Sequence, residues 1–305
     1  MESLNRRGFL QKAAAAAAAT GAGLAGLKAA ADPKPMRFGL LVSATKEPEK
    51  VMAYVRKMGI PTVHVSTTDF SPAAARRLHD ALDSNGIEAV VLISSGPGPE
   101  KYDLYEGPIT YGLVPSHYRR QRVDRLKRAS DFAKRLNISI TFNQWGYIPE
   151  VPSDPLYKPT VDAVREIATH CKANGQIFVN ETGQETPITL KRTIEDTGMD
   201  NVRVVLDAAN LVPYGKGNAV DSLDVIGKYV VGVHVKGGFY PTNPRYLGKQ
   251  VAAGKGVVGW PRLIARLKKM GYTAPLTIEP VLGAAHRDQE IRYDMAYIKR
   301  LIAQS

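Results

Sequence analysis

Short apolar runs alternate with longer amphipathic segments along the chain from Pro33 onward. The apolar runs have the length of strands, and the segments between them place apolar residues at helical spacing. In one such segment, Val123, Leu126, Ala129 and Ala133 would share a single helix face. The sequence therefore predicts eight strands, in the order MRFGLLVS, PTVHVST, IEAVVLISS, ISITFNQ, QIFVNE, VRVVLD, YVVGVHVK and PLTIE.

The segments between the strands carry signals for the ends of helices. The segment SPAAARRLHDALDSNG begins with Ser71 as N-cap and Pro72 at the first helical position, and Gly86 ends it. Eight helices alternate with the eight strands, which predicts a parallel sheet with helices outside it. Eight such units over roughly 270 residues are typical of a closed barrel. The predicted fold class is α/β, a single (β/α)8 TIM barrel.

An open, doubly wound sheet is the competing architecture. It usually has a glycine-rich turn after the first strand, and LLVSATKEP lacks one at that point. No break in composition follows residue 33, so we expect one barrel domain over residues 32–305.

The first 31 residues are predicted to be an export signal and not part of the fold. Arg6 and Arg7 precede an alanine-rich, weakly apolar run, and a small-residue cleavage site lies near Ala31. This arrangement resembles a twin-arginine signal, which implies a periplasmic protein. The run is short and interrupted by glycine, so we expect no stable membrane anchor.

Composition limits the disulfides and the binding partners that can be expected. The single cysteine, Cys171, rules out an internal disulfide. The formal charge of +12 suits anionic partners, and the helix YRRQRVDRLKR could contact nucleic acid. That helix is more readily explained as a solvated outer face, and the predicted export signal also argues against this contact, so no nucleic-acid partner is expected. A homo-oligomer stays open.

Four residues with ionisable side chains lie at or near the ends of four successive predicted strands. Glu181, Asp207 and Glu279 end their strands, and His234 lies near the end of another. The carboxyl ends of barrel strands meet at one rim, where three carboxylates would repel one another unless a cation lay between them. Two Glu, one Asp and one His suit Mn²⁺ or Mg²⁺, with Co²⁺ and Zn²⁺ as alternatives.

Each of these residues also has an ordinary interpretation. Asp207 could cap a helix, His234 could be a hydrogen-bonded core histidine, and Glu279 could pair with an arginine. The four ordinary interpretations would have to coincide at four successive strand ends, which favours the metal site.

The runs NETGQETPITLKRTIEDTG, VLDAANLVPYGKGNAVDSLDVIGKYVVGVHVKGG and PLTIEP resemble the sugar phosphate isomerase/epimerase family, which has the xylose isomerase-like TIM barrel. The resemblance covers essentially the whole chain after the export signal. It implies that Glu181, Asp207, His234 and Glu279 bind one divalent metal, and that Glu181 and Glu279 also act as an acid/base pair.

Three positions depart from the family pattern. Gly237 stands where an acid usually follows the lysine of the His-x-Lys motif, and the loop Gly254–Gly259 carries Lys255 in place of an acid. Gln144 stands near the end of the fourth strand, where a histidine is frequent. The lost acids make the rim more positive, which leaves room for an anionic sugar.

Further residues near the rim are candidate substrate contacts. Each has an ordinary alternative: a turn bond for the asparagine, solvated lysines, an exposed first-turn glutamate and plain aromatic packing. The histidine inside the second strand, His64, is not expected to contact the site. The predicted contacts are Asn210, Lys236, Glu185, Trp145 and Lys216.

The sequence thus predicts a divalent-metal-dependent isomerase or epimerase that acts on a small carbohydrate by proton transfer through an enediolate. Two alternatives stay open. One is a metal-dependent lyase on an oxidised (keto) glycoside, and the other is a barrel that binds a sugar without turnover.

Overall fold

The computed structural model describes residues 36–281 and 283–305. The predicted export signal, residues 1–31, lies outside the described residues. Within the described part of the chain, no helix is long and apolar enough to cross a bilayer.

Eight parallel strands close into a barrel, as predicted from the alternation of the sequence. Around the barrel the strand order is β1-β10-β7-β6-β5-β4-β3-β2. The barrel strands are β1 (Phe38–Ser43), β2 (Thr62–Ser66), β3 (Glu88–Ile93), β4 (Ile140–Asn143), β5 (Ile177–Glu181), β6 (Val202–Asp207), β7 (Val230–Val235) and β10 (Leu276–Ile278).

The predicted helices surround the barrel. A short additional helix, α3, precedes α4 in the long connection after β3. The described α-helices are α1 (Pro48–Lys57), α2 (Pro72–Asn85), α3 (Gly107–Thr110), α4 (Ser116–Arg135), α5 (Tyr157–Ala173), α6 (Pro187–Thr197), α7 (Ala219–Ile226), α8 (Trp260–Lys269) and α9 (Arg287–Gln304).

The ends of α2 follow the local signals in the sequence. The Ser71 hydroxyl accepts a hydrogen bond from the backbone N–H of Ala74 at 3.1 Å, which satisfies one of the free donors of the first turn. Gly86 ends the helix with φ of 63°, a left-handed conformation that glycine adopts without a steric cost.

A short ribbon was also not predicted. After β7, the chain forms a two-stranded antiparallel ribbon from β8 (Gly237–Gly238) and β9 (Gln250–Val251). The ribbon lies immediately after the His-x-Lys motif and therefore next to the carboxyl end of β7.

The period of two along the strands decides which side chains enter the barrel. Val91, Phe142, Val179 and Val205 form a small apolar cluster of their own, separate from the larger clusters that contain the helix residues. Since alternate residues of a strand share a face, Glu181 follows Val179 into the barrel interior and Asp207 follows Val205. The strands thus place these carboxylates at the end of an apolar interior.

Candidate metal centre

The carboxyl ends of β5, β6, β7 and β10 bring the four predicted residues together. Glu181 ends β5, Asp207 ends β6, His234 lies in β7, and Glu279 directly follows β10. One ligand atom from each residue lies within 4.8 Å of the corresponding atom of every other. We call these four residues the acidic cluster. They could hold a metal ion, as the sequence predicts.

His234 lies at the centre of this cluster. Its Nδ1 atom is 2.5 Å from Glu181 Oε1, 3.2 Å from Glu279 Oε2 and 3.8 Å from Asp207 Oδ2. Burial lowers the pKa of this imidazole, but the charges and hydrogen bonds of Glu181 and Glu279 outweigh burial and raise it to about 10. The two carboxylates therefore favour the protonated form of His234 when no cation occupies the cluster.

Lys236 enters the same cluster from β7, two residues after His234. Its Nζ atom donates to Glu279 Oε1 at 2.7 Å and lies 3.0 Å from Asp207 Oδ2. The side chain is only 2% exposed, and although burial opposes the charge, the neighbouring carboxylates raise its pKa. The alternative of a solvated rim lysine is wrong for Lys236.

The pKa values of Asp207 and Glu279 are shifted in opposite directions. Burial raises the pKa of Asp207 to about 7, and Lys236 opposes this rise. Burial also acts to raise the pKa of Glu279, but Lys236 and His234 outweigh it and hold that pKa below its usual range. The buried Asp207 is therefore the carboxylate whose charge is least well compensated.

The charges and free oxygens of the cluster fit a divalent cation. Buried Asp207 Oδ2 and Glu279 Oε2 accept no well-oriented hydrogen bond within the described structure, although Lys236 Nζ lies 3.0 Å from the first and His234 Nδ1 3.2 Å from the second. If His234 is neutral, three carboxylates face one ammonium, which leaves two negative charges. A buried excess of this kind is costly, and a dication would balance it while using these two oxygens as ligands.

His64, in the middle of β2, contacts the far side of His234. The distance between His64 Nδ1 and His234 Nε2 is 2.9 Å, and both side chains are buried. Burial and the charge of His234 lower the pKa of His64, so its ring is neutral, and its Nδ1 accepts the hydrogen bond whenever His234 carries a proton on Nε2. This arrangement leaves Nδ1 of His234 facing the carboxylates, as a metal ligand requires.

The sequence analysis gave His64 no place in the site. The signal it offered was an imidazole in the middle of an apolar strand, which indicates burial but not a partner. That partner follows from barrel closure, because β1 and β10 lie between β2 and β7 in the sheet.

Hydrogen bonds fix the orientation of two of the carboxylates. The Gln144 amide donates to Glu181 Oε2, so the residue that replaces a frequent histidine still contacts the cluster. Asp207 Oδ1 accepts the backbone N–H groups of Ala209 and Asn210, both at 2.8 Å. Those two bonds occupy one oxygen of Asp207 and leave Oδ2 pointing into the cluster.

The other predicted substrate contacts have different surroundings. Glu185 is buried, accepts a hydrogen bond from Asn180 Nδ2 at 2.9 Å, and has a pKa raised by burial to about 8. An exposed first-turn glutamate is therefore the wrong alternative. Trp145 is fully buried and stacks on Phe178, with ring centres 5.7 Å apart. Lys216 Nζ lies 3.8 Å from Glu150 Oε1, and Asn210 is buried beside Asp207.

The ribbon explains why glycine replaces an acid at Gly237. A Cβ atom at this position would lie 2.5 Å from the carbonyl oxygen of Ala252, too close for any side chain. In the loop that follows, Lys255 directs its ammonium towards the ring of Tyr293, 4.9 Å from its centre. Both departures thus belong to the local packing of the ribbon and of α9.

Comparisons with known proteins agree with the barrel fold. Residues 52–301 match the family model of the xylose isomerase-like TIM barrel. Among solved structures, the chain is similar to a xylose isomerase domain protein from Planctomyces limnophilus, at 28% identity with a TM-score of 0.80. That match covers 89% of this chain and 99% of that one. No curated protein sequence matches the chain significantly.

Two more distant structures share the fold. One is D-psicose 3-epimerase in the presence of D-fructose, at 18% identity and a TM-score of 0.66, covering 88% of this chain and 99% of that one. The other is a xylose isomerase-like TIM barrel protein from Mycobacterium smegmatis in complex with magnesium. It is 17% identical, with a TM-score of 0.63, and the match covers 84% of this chain and 88% of that one.

Proposed function

This chain belongs to the xylose isomerase-like TIM barrel family, and from that premise we propose that it isomerises or epimerises a sugar or keto-sugar with the help of a divalent metal. One observation carries the proposal. Four side chains from four strand ends bring ligand atoms within 4.8 Å of one another, and two of the buried carboxylate oxygens accept no well-oriented hydrogen bond.

The metal would be held by Glu181, Asp207, His234 and Glu279, three carboxylates and one imidazole that suit Mn²⁺ or Mg²⁺ first and Co²⁺ or Zn²⁺ as alternatives. When bound, it would supply Lewis-acid polarisation of a substrate carbonyl. The protein contributes the geometry: His64 holds the ring of His234, and the backbone of residues 209 and 210 holds Asp207.

Glu181 and Glu279 are the proposed proton carriers. They come from β5 and from the end of β10, with β6 and β7 between them, so they approach the cluster from different sides. One carboxylate takes the proton from the carbon next to the carbonyl, and the electron pair of that C–H bond moves towards the carbonyl oxygen. Return of a proton by the other carboxylate to the opposite face would invert the carbon.

Lys236 is proposed to keep this machinery charged. Its ammonium contacts both Asp207 and Glu279, so it favours the ionised form of each carboxylate. An ionised carboxylate can accept a proton, so the ammonium supports Glu279 as a proton carrier, whereas its positive charge competes with a bound cation for the same oxygens.

Hydrogen exchange tests the proposal directly. The metal-loaded protein is incubated in heavy water with a panel of keto-sugars, and deuterium at the carbon next to the carbonyl is measured by NMR. Wild-type protein should incorporate deuterium, and Glu181→Gln should lose at least about 100-fold of the rate because it removes a proton carrier. Glu150→Gln, an exposed glutamate outside the acidic cluster, is the matched control and should keep wild-type exchange.

The products and the metal content separate the alternatives. An epimer or isomer supports the proposal, whereas an eliminated fragment indicates a lyase on an oxidised glycoside. Metal-loaded protein that binds a sugar but exchanges no proton with any member of the panel is a binding protein. Elemental analysis should find about one metal per chain in wild-type protein and none in the Asp207→Ala, His234→Ala double variant.

For the first 31 residues we propose export through the twin-arginine pathway to the periplasm. The paired Arg6 and Arg7 before an alanine-rich run support this. A reporter fused to the full-length chain should reach the periplasm and should stay in the cytoplasm when both arginines are changed to lysine. Equal export of both forms would contradict the proposal.

A further inference from the structure

A cavity lies on the same face of the barrel as the acidic cluster. Its volume is about 210 Å³, and residues at the carboxyl ends of β1, β2 and β3 line it: Ser43, Ser66 and Ile93. β1 hydrogen-bonds to β10, the strand that precedes Glu279, so the cavity begins one strand beyond the cluster. A water molecule takes about 30 Å³ of liquid, so the cavity can admit a group of several heavy atoms.

Hydroxyl groups dominate the lining of this cavity, and no carboxylate belongs to it. Their bonds within the protein are long: Ser43 Oγ to Thr45 Oγ1 is 3.5 Å, and Ser66 Oγ donates to the carbonyl of Val42 at 3.4 Å. Bonds at this distance are weak, so these hydroxyls are free to turn towards a ligand. The hydroxyl-bearing residues of the lining are Ser43, Thr45, Ser66, Thr67, Thr68 and Ser95.

One cation, Arg125 of α4, lines the same cavity. Its Nε atom donates to the carbonyl of Ser95 at 2.9 Å, and Nη2 donates to the carbonyl of Thr68 at 3.1 Å. The guanidinium also lies over the ring of Phe70, with Cζ 4.6 Å from the ring centre. These three contacts hold the group in place at the cavity and leave Nη1 for a ligand.

Arg125 has no acidic partner among the residues that the structure describes, since none of their ion pairs includes it. Arg120, one helical turn earlier, contrasts with it: its guanidinium donates to both Asp124 and Glu166. A fixed guanidinium with a free N–H, surrounded by hydroxyls and without a carboxylate, is an arrangement that suits an anion.

We propose that this cavity, which we call the Arg125 cavity, binds an anionic group at the end of the sugar far from the reacting carbonyl. The group is a carboxylate or a phosphate. The proposal rests on the proposed function, because it assumes that the carbonyl end of the same sugar lies at the acidic cluster. It narrows the substrate class to acidic or phosphorylated sugars, since only an anionic group would form an ion pair with Arg125.

Exchange kinetics with matched sugars test whether the preferred substrate is anionic. Three ketoses that differ only at the last carbon are compared in heavy water: the neutral alcohol, the carboxylate and the phosphate ester. At least one anionic sugar should exceed the neutral one in kcat/KM by about 100-fold, the size expected for a charge-assisted hydrogen bond. The better anion identifies the group. A neutral sugar that reacts as fast as both anions would overturn the inference while leaving the proposed function intact.

Substitution of Arg125 tests whether this residue causes the preference for an anionic sugar. Arg125→Met should lower kcat/KM for the preferred anionic sugar by about 100-fold and leave the neutral sugar within about twofold. Arg128→Met is the matched control, because Arg128 is exposed on the same helix and does not line the cavity. An equal loss for anionic and neutral sugars in Arg125→Met would contradict the inference.

A second variant covers the case in which Arg125→Met does not fold, since Arg125 also holds two loops. Ser43→Ala combined with Ser66→Ala removes hydroxyls without touching those bonds, and it should weaken the anionic sugar by about tenfold. Calorimetric binding of the same anions to chelator-treated protein gives a readout without turnover. If wild-type protein binds an anion without exchange activity and Arg125→Met does not bind it, the cavity is supported and the proposed enzyme activity is refuted. If wild-type protein binds neither anion, the cavity is refuted.

Discussion

Removal of the His64 imidazole should weaken metal binding at a site that His64 does not itself touch. His64 Nδ1 lies 2.9 Å from His234 Nε2 and is the acceptor that holds the ring of His234. In His64→Leu, the Nε2–H group of His234 would be buried without a partner, and its ring would be free to turn Nδ1 away from the carboxylates. His64→Asn is the conservative variant, because its Oδ1 can take the position of Nδ1.

The expected magnitudes follow from the burial of the pair. A buried donor left without an acceptor costs about 1–3 kcal/mol of stability. Loss of an outer partner of a metal-binding histidine typically lowers metal affinity by about 10–100-fold. This range corresponds to about 1.4–2.8 kcal/mol of binding free energy. His64→Asn should recover most of both losses.

Calorimetric titration of chelator-treated protein with Mn²⁺ measures the affinity, and urea unfolding of the same samples measures the stability. Val63→Ala is the matched control, since this neighbouring β2 residue is fully buried in the apolar core and belongs to a different cluster from the site. It should lower stability by about 1–3 kcal/mol and leave the affinity unchanged. The reasoning is refuted if His64→Leu binds Mn²⁺ within about twofold of wild type, or if Val63→Ala weakens binding equally.

Three further outcomes are expected. Lys236→Met should lower the unfolding free energy of the chelator-treated protein by about 3–5 kcal/mol, because Asp207 and Glu279 lose their buried cation. The same variant should bind Mn²⁺ more tightly, because the competing ammonium is gone, and weaker binding would contradict this. Mn²⁺ at about 100 times its Kd should stabilise wild-type protein by about 2.7 kcal/mol, seen as a rise in Tm, and should leave Asp207→Ala, His234→Ala unchanged. The pKa of Asp294, which faces Glu290 and Lys255, is raised by burial from 3.8 to about 7. The contribution of its protonated carboxyl group to the free energy of unfolding is therefore present at low pH and is lost as pH rises from about 4 to about 7. Asp294→Asn, which can still accept from Ala253 N, should therefore gain stability relative to wild type over that range, by at most about 4 kcal/mol in urea unfolding at each pH, and a constant difference would refute the assignment.

Local patterns in the sequence were sufficient for the architecture and for the acidic cluster. Hydrophobic alternation indicates where a strand begins and ends, and the carboxyl ends of parallel barrel strands always meet at one rim. Glu181, Asp207 and Glu279 could therefore be assigned to one site, although nearly 100 residues separate the first from the last. The caps of α2 were predictable for a similar reason, since Ser71 and Gly86 act on backbone within one helical turn.

The surroundings of that cluster depended on contacts that local patterns do not encode. His64 meets His234 across 170 positions of sequence, and only closure of the barrel brings β2 and β7 close enough for that contact. The burial of Lys236 and Glu185 likewise depends on what packs above them. The sequence offered two interpretations of each residue, a contact at the site or a solvated side chain, and no local pattern decided between them.

What the sequence determined by itself is the period and order of the elements, and with them the rim on which Glu181, Asp207, His234 and Glu279 lie. Tertiary structure alone decided the partners: the acceptor for His234, the ammonium between Asp207 and Glu279, the ribbon that excludes a side chain at Gly237, and the hydroxyls around Arg125. The physical reason is range. Periodicity and capping act over a few residues, whereas side-chain charge and hydrogen bonding depend on neighbours that become adjacent only when the barrel closes.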